Sequence, residues 1–139
     1  MDTATLEDIA QRMLANGKGL LAIDESTPTC GKRFADYGIE NSEDNRRDYR
    51  ALLLSAPGLG ENISGAILYD ETLRMKMADG MPFPQMMNDN GILPGIKVDT
   101  GAKDLAGHPG EKVTEGLDGL RERLAEYHAM GARFAKWRA

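Results

Sequence analysis

Four short apolar runs in this sequence are each followed by side chains that carry charge. Carboxylates in such positions can transfer protons, and clustered cations can bind a phosphorylated ligand. A strand often ends in charged residues simply because the chain leaves the protein core there, but four such endings in one chain favour a common site. The charged pairs are Asp24-Glu25, Asp70-Glu71, Lys97 with Asp99, and Lys136 with Arg138.

The last of these pairs gives the clearest geometric prediction. Side chains alternate along a strand, so Lys136 and Arg138 share one face and Trp137 lies on the other. Phe134 then lies beneath the two cations. Ligand sites of α/β sheets and barrels lie at the carboxyl ends of the parallel strands. We therefore predict a mixed site in which Asp24, near Lys136, suits proton transfer and the cations suit a phosphorylated ligand.

The segment 24–33, DESTPTCGKR, is a second candidate for phosphate binding. Hydroxyl groups at Ser26, Thr27 and Thr29 precede two cations, of which Arg33 is the second. The segment lacks the GxxxxGK[ST] pattern of a Walker loop. Taken alone, such a segment is more often a solvated turn, so the hydroxyls and cations only suggest a phosphate site.

The apolar runs also predict the fold class. Continuous apolar runs are typical of strands covered on both faces, and their alternation with helices predicts an α/β protein with a parallel sheet. Pro94 makes the first half of the third run a poor central strand. The connection 100–113 is expected to be an extended loop. The four runs cover residues 19–24, 64–71, 91–99 and 132–138.

Helix-capping residues set the expected helix boundaries. Thr5, Ser42 and Thr114 are expected to begin three helices, because their hydroxyls can accept the free backbone N–H groups of a first turn. The second of these helices is expected to turn Leu52 towards the core. Gly131 is expected to end the third helix.

Composition excludes several classes of protein. The chain has 139 residues and a net charge of −5, which disfavours a nucleic-acid binder. No apolar run could span a bilayer, and no signal peptide is recognisable. A cytoplasmic protein that does not associate with a membrane is therefore expected. Cys30 is the only cysteine, and the spacing of His108 and His128 fits no common zinc motif. We expect residues 1–139 to belong to a single domain, with no internal boundary and no metal site.

Eight segments of the sequence carry a more specific signal through their order and spacing. They are GKGLLAIDEST (17–27), GKRF (31–34), ENSEDNRRDYR (40–50), GAILYDETL (65–73), GMPFPQ (80–85), GIKVDTG (95–101), EGLDGLRER (115–123) and GARFAKWR (131–138). Together they resemble class I fructose-bisphosphate aldolase along essentially the whole chain. The resemblance implies a (β/α)8 TIM barrel, of which this chain supplies about the first half: four strands with their helices.

The same resemblance implies an activity and roles for four residues. The family cleaves fructose 1,6-bisphosphate reversibly to dihydroxyacetone phosphate and glyceraldehyde 3-phosphate through a lysine Schiff base, without a metal or cofactor. Asp24 matches an aspartate that takes part in carbinolamine and C–C bond chemistry. Lys136 matches a lysine that assists imine formation and stabilises charge. Lys97 and Arg138 match residues near the substrate phosphate.

Three further positions match the family's phosphate-binding loop with some departures. Ser26, Thr29 and Arg33 correspond to residues around the same phosphate. The family often has serine where this chain has Thr29, and commonly glycine where it has Pro28. A proline stiffens the turn, so this loop is expected to differ there from the loop of the family.

The Schiff-base lysine and its glutamate partner belong to a later strand of such a barrel, which usually needs ~250 residues. We therefore expect the chain to be an N-terminal portion that is inactive and marginally stable on its own. Two alternatives remain: a non-catalytic half-barrel that binds a phosphosugar or a partner chain, and a metal-dependent aldolase, which the two histidines disfavour. The expected ligand is a phosphorylated sugar, and a homo-oligomer is compatible with the sequence.

Overall fold

The computed structural model describes residues 3–15 and 17–138. Helices and strands alternate along the described part of the chain, and a hairpin is inserted late. The helices are α1 (Thr3–Met13), α2 (Thr27–Ala35), α3 (Glu43–Leu54), α4 (Leu59–Asn62), α5 (Asp70–Arg74), α6 (Phe83–Asp89) and α7 (Leu120–Ala129). The strands are β1 (Gly19–Ile23), β2 (Ile63–Leu68), β3 (Leu93–Lys97), β4 (Gly101–Asp104), β5 (Lys112–Glu115) and β6 (Phe134–Lys136).

The four strands predicted from the apolar runs form one parallel sheet. Its strand order is β1-β2-β3-β6, so each strand pairs with the next one along the chain apart from the inserted hairpin. The hairpin β4–β5 is antiparallel and occupies the connection between β3 and α7. An all-parallel sheet with connecting helices confirms the predicted α/β class.

One face of the sheet, which we call the core face, packs against the helices. Ile23, Leu68 and Ile96 lie on this face and are almost completely buried. They belong to a cluster that includes Leu54 from α3 and Phe83 from α6. Burial of such side chains contributes about 1.5–3 kcal/mol each to the free energy of unfolding. The helices therefore fix the sheet from this side only.

The opposite face, which we call the open face, carries side chains at alternating positions of the same strands. Leu20 and Ala22 of β1 lie on it and are exposed. Phe134 of β6 covers two glycines of the neighbouring strands, Gly65 and Gly95. The alternation continues beyond the aromatic ring to the charged residues at the carboxyl ends of the strands. The open face is thus the surface that presents the predicted site.

The contact between Phe134 and Gly95 leads to a stability prediction. A Cβ atom at position 95 would overlap three ring carbons of Phe134, and both residues lie in register within the sheet. Gly95→Ala is expected to lower the free energy of unfolding by about 1–3 kcal/mol, as overpacked substitutions do. Chemical denaturation of the intact protein measures this change. Adding Phe134→Leu should recover part of the loss, and a Gly95→Ala protein as stable as wild type would contradict the contact.

Pro94 corrects one expectation from the sequence. It lies within β3, buried and paired in register with Ala66 of β2. Its carbonyl accepts a hydrogen bond from the Arg133 N–H at 2.8 Å, just before β6 begins. In a strand, the N–H and the C=O of one residue point to the same side. The N–H that Pro94 lacks would therefore point to the side that its carbonyl faces, towards the segment just before β6. No ladder bond between paired strands is lost there.

Two helix starts and one buried face were also predicted wrongly. Thr5 lies inside α1, and Thr114 lies in β5, so neither begins a helix. Leu52 is 73% exposed, and α3 instead buries Arg50 and Leu54. The predictions for Ser42 and Gly131 hold. The Ser42 hydroxyl accepts the Asn45 N–H at 3.2 Å at the start of α3, and Gly131 follows the C-cap of α7.

No helix in the ranges 3–15 and 17–138 is long and apolar enough to cross a membrane.

Candidate active site

An ion pair joins the two edge strands of the described sheet at their carboxyl ends. Nζ of Lys136, the last residue of β6, donates to Oδ2 of Asp24, which follows β1, at 2.6 Å. The two side chains are 33% and 13% exposed, so both remain accessible to a ligand. β1 and β6 are three strand spacings apart, roughly 14 Å in a flat sheet. A direct contact therefore requires the open face to be strongly concave.

A second ion pair lies beside the first, at the end of β3. Lys97 is in register with Lys136, so both extend from the open face. Lys97 Nζ donates to Asp99 Oδ1 at 2.6 Å and to the Asp99 carbonyl at 2.7 Å. The other carboxylate oxygen of Asp99 accepts the backbone N–H of Arg138 at 3.1 Å. One carboxylate thus connects the Lys97 ammonium with the backbone of Arg138.

Hydrogen bonding sets the charge state of Asp99. Burial acts to raise its pKa, but the hydrogen bonds from Lys97 and from the backbone N–H groups of Arg138 and Gly101 outweigh burial. The net effect holds the pKa of Asp99 below its ordinary value. Asp99 is therefore an anion at neutral pH, and it interacts with Lys97 as a charged pair.

This shift predicts a pH dependence of stability. A carboxylate whose pKa is lowered in the folded protein stabilises it above the unfolded-state pKa of about 3.9, and this contribution is lost as the pH falls from there through the folded-state pKa. The difference in unfolding free energy between wild type and Asp99→Asn should therefore be constant above about pH 5 and shrink in more acidic solution. Denaturation at a series of pH values tests this. A difference that stays constant down to pH 3 would contradict the lowered pKa.

The remaining predicted residues lie at the start of α2 and along it: Ser26 is its N-cap residue, and Thr29 and Arg33 lie within the helix, so the expected turn is helical from Thr27. Ser26 Oγ and Thr29 Oγ1 are 3.0 Å apart and form one hydrogen-bonded hydroxyl pair. Arg33, on α2, donates to Glu25 Oε1, and its Nη1 also lies 3.2 Å from the Tyr49 hydroxyl. These contacts raise the pKa of Arg33, first through the hydrogen bond with Tyr49 and then through the charge of Glu25.

A buried arginine was missed by the sequence analysis. Arg50 is 2% exposed, and its Nη2 donates to the Glu25 carbonyl at 2.8 Å. The same nitrogen lies 3.2 Å from Glu25 Oε2, although the angle does not make a hydrogen bond. Arg50 Nη1 also contacts Cys30 Sγ at 3.4 Å. The available signal was its spacing of four residues from Leu54, which places both on one helix face.

Arg50 holds the backbone directly after Asp24. Glu25 follows Asp24 and precedes Ser26, and its carbonyl and carboxylate both face α3. The Tyr49 hydroxyl lies 3.2 Å from Glu25 Oε1, which adds a second contact from that helix. Helix α3 therefore fixes the chain between the predicted catalytic aspartate and the predicted phosphate loop.

The predicted site residues thus fall into two described groups. Asp24, Lys136, Lys97 and Arg138 lie at the carboxyl ends of the parallel strands, while Ser26, Thr29 and Arg33 lie on the loop and helix that follow β1. Among the residues that the structure covers, no group of three or more His, Cys, Asp or Glu side chains could hold a metal ion.

Comparison with known proteins gives a consistent family. The model of a family described as fructose-bisphosphate aldolase class-I matches residues 5–139. A probable fructose-bisphosphate aldolase class 1 of Xanthomonas campestris is 64% identical over 139 residues, which are all of this chain and 42% of that relative. The cytoplasmic isozyme of Spinacia oleracea is 53% identical over 144 aligned residues, covering 99% of this chain and 40% of its own length.

A solved structure supports the same assignment. Fructose-bisphosphate aldolase of Plasmodium falciparum, in complex with TRAP and a small molecule inhibitor, superposes with a TM-score of 0.95 at 49% identity. The match covers 98% of this chain and 39% of that one. The four parallel strands and their helices therefore form part of a barrel of this kind, as the sequence predicted. The chain spans about 42% of the length of the Xanthomonas relative.

Proposed function

Since this chain belongs to the class I fructose-bisphosphate aldolase family, we propose that the protein cleaves fructose 1,6-bisphosphate reversibly through a lysine Schiff base. The products are dihydroxyacetone phosphate and glyceraldehyde 3-phosphate, and no metal or cofactor takes part. The Schiff-base lysine is not among the residues assigned here. The observation that carries the proposal is the contact between Asp24 and Lys136 at the mouth of the concave open face.

The pair suits the proton transfers that an aldol cleavage requires. A carboxylate accepts a proton from a substrate hydroxyl as the adjacent C–C bond breaks, while a protonated imine takes up the electron pair. The Lys136 ammonium beside Asp24 keeps a positive charge where negative charge develops. The proposed catalytic residues in this chain are therefore Asp24 for proton transfer and Lys136 for charge stabilisation and imine formation.

The substrate's phosphate is proposed to bind at the neighbouring cations and hydroxyls. Lys97 lies in register beside Lys136, and Arg138 follows two residues later, so both are placed for an anion at the carboxyl ends of the strands. Charge-assisted hydrogen bonds from such groups are the usual means of holding phosphate. Ser26, Thr29 and Arg33 are proposed to contribute from the loop after β1. Arg33 then has to share its guanidinium between Glu25 and the phosphate.

Borohydride trapping tests the proposed function directly. The intact natural protein is reduced in the presence of dihydroxyacetone phosphate and its mass is measured. A covalent adduct, together with cleavage of fructose 1,6-bisphosphate, is the expected result. Phosphosugar binding without an adduct would instead support a non-catalytic half-barrel, and activity lost to a chelator would support a metal-dependent aldolase.

The same experiment on the 139-residue chain alone is expected to give neither adduct nor cleavage. In the described part, β1 and β6 each pair on one side only, and Leu20 on the open face is exposed. Unpaired sheet edges favour aggregation, so this chain is also expected to be marginally stable. Cleavage at a normal rate by the 139-residue chain would contradict the expectation.

A single domain, a homo-oligomeric assembly and a cytoplasmic location also remain predictions for this protein. Relatives named as cytoplasmic and as chloroplastic both occur. Fractionation of the source cells, followed by sedimentation of the intact protein, measures the location and the assembly.

A further inference from the structure

Asp99 is a buried carboxylate that the proposed chemistry does not use. Its side chain is completely buried, yet it lies only two residues after the end of β3, beside the proposed phosphate site. Four hydrogen bonds reach this one residue. Lys97 Nζ donates to Oδ1 and to the carbonyl oxygen of Asp99. The backbone N–H of Gly101 donates to Oδ1, and the backbone N–H of Arg138 donates to Oδ2.

The contacts of Asp99 join three separate parts of the chain. Lys97 ends β3, Gly101 begins β4, and Arg138 follows β6. The backbone of the hairpin also lies against Asp99, because a Cβ atom at Gly116 would come within 2.9 Å of the Asp99 Cα. Asp99 is therefore held on both sides, and its carboxylate has little freedom to change position.

Stability alone explains this arrangement poorly. A buried ion pair contributes little net stability, because desolvation offsets the attraction between the charges, and apolar side chains of the same volume often do as well. An ammonium has three N–H donors, and Asp99 accepts two of those from Lys97. The Lys97 side chain is 17% exposed, so its remaining donor can reach a ligand.

We propose that Asp99 is a positioning residue of the phosphate site, which fixes the Lys97 ammonium and the backbone at Arg138 with one carboxylate. This inference rests on the proposed function, because it takes Lys97 and Arg138 as the residues that contact the substrate's phosphate. The two residues come from neighbouring strands, and Asp99 contacts the ammonium of Lys97 and the backbone N–H of Arg138. An incoming phosphate then meets donors that are already ordered, so less conformational entropy is lost on binding.

The test compares Asp99→Asn with a matched surface control in the intact protein. Asp104 lies in the hairpin that follows Asp99 and pairs with Lys112. Its side chain is exposed, so Asp104→Asn removes a carboxylate without affecting the site. Calorimetric binding of inorganic phosphate is expected to weaken roughly 10- to 100-fold in Asp99→Asn, the usual cost of a charged hydrogen bond. Asp104→Asn should bind as wild type does.

Kinetics separates positioning from a general loss of structure. KM for fructose 1,6-bisphosphate should rise by a similar factor in Asp99→Asn while kcat changes less, because the chemical groups are untouched. A merely structural role would lower the amount of active protein and leave KM unchanged. If phosphate affinity and KM both match those of Asp104→Asn, the proposal is overturned.

A double-mutant cycle covers the case in which Asp99→Asn folds poorly. Asp99→Glu retains the charge but moves the carboxylate, so it should still weaken phosphate binding. The cycle compares the effect of Asp99→Glu on phosphate binding in two backgrounds. If Asp99 acts through Lys97, this effect should be smaller in the Lys97→Met protein than in wild type. Fully additive effects would overturn the inference. If phosphate binds as expected while wild type cleaves no fructose 1,6-bisphosphate, the proposed function fails and the positioning role stands.

Discussion

Replacing Asp24 with asparagine in the intact protein is expected to lower kcat for fructose 1,6-bisphosphate cleavage by roughly 100- to 10,000-fold, the usual contribution of a positioned acid or base. Asparagine has nearly the same shape and can still contact Lys136, but its amide cannot accept the substrate's proton. KM should change much less, because the phosphate-binding residues remain in place. Steady-state kinetics on the purified variant measures both quantities.

Two further variants make the Asp24 result specific. Asp89→Asn removes an exposed carboxylate at the end of α6 and should leave kcat unchanged. The pair Asp24→Asn and Lys136→Met should be clearly non-additive, because the two side chains are in direct contact. An Asp24→Asn enzyme that retains more than about a tenth of wild-type kcat would contradict the proposed role.

Replacing Arg50 with methionine is expected to lower the free energy of unfolding by about 3–5 kcal/mol, the usual cost of removing one partner from a buried ion pair. Methionine fills much of the same volume, so the loss comes from the charge and hydrogen bonds of Glu25 rather than from a cavity. Denaturant unfolding of the intact protein measures this change.

Helix α3 supplies a matched control for the Arg50 variant. Arg47 lies one turn earlier and pairs with Asp44 and Asp48, whose side chains are well exposed. Arg47→Met should therefore cost no more than about 1 kcal/mol, as exposed pairs do. Adding Glu25→Gln to Arg50→Met should recover part of the lost stability. Equal losses for the two arginine variants would show that burial of the pair does not determine its contribution.

Much of the sheet could be predicted from the sequence because the strands are short, apolar and covered on the core face. The run 19–24 predicts β1 to within one residue, whereas the run 64–71 overlaps β2 but extends beyond it into α5, where Asp70 and Glu71 lie. The alternation that places Lys136 opposite Trp137 depends only on strand geometry, which explains why the charged face was found. The family resemblance then supplied what strand geometry cannot, namely the expected roles of Asp24 and Lys136 in imine and C–C bond chemistry.

The wrong predictions have local physical causes. Proline is disfavoured in a central strand because it cannot donate a hydrogen bond to the neighbouring strand. At Pro94 the missing N–H would point towards the segment just before β6, so no bond between paired residues is lost. Thr114 has a good capping side chain, but its backbone is extended within β5 and lies in register with Ala102 across the hairpin, so no helix begins there. The helical pattern predicts that Leu52 faces the core, but the buried face of α3 carries Arg50 and Leu54, because Glu25 lies opposite Arg50 and pairs with its charge.

The candidate site was predicted as a set of residues, but its connections were not. The sequence predicts that Arg33 is available to phosphate, whereas the structure pairs it with Glu25, eight residues earlier, and with Tyr49 of α3. Asp99 appeared only as one more charged strand ending. Its link to the Arg138 backbone depends on how closely β3 and β6 pair, and residue spacing contains no such information.

The hairpin between β3 and α7 has a consequence for the speed of folding. Its two strands pair within a short stretch of chain, from Gly101 with Glu115 to Asp104 with Lys112. Hairpins form in about 1–10 μs, whereas parallel strands must first close a long loop. Once formed, the hairpin brings residues 101 and 115 together and shortens the effective loop that separates β6 from β3. The hairpin lengthens the chain between β3 and β6, which slows folding, but its early formation offsets part of that loss of folding rate.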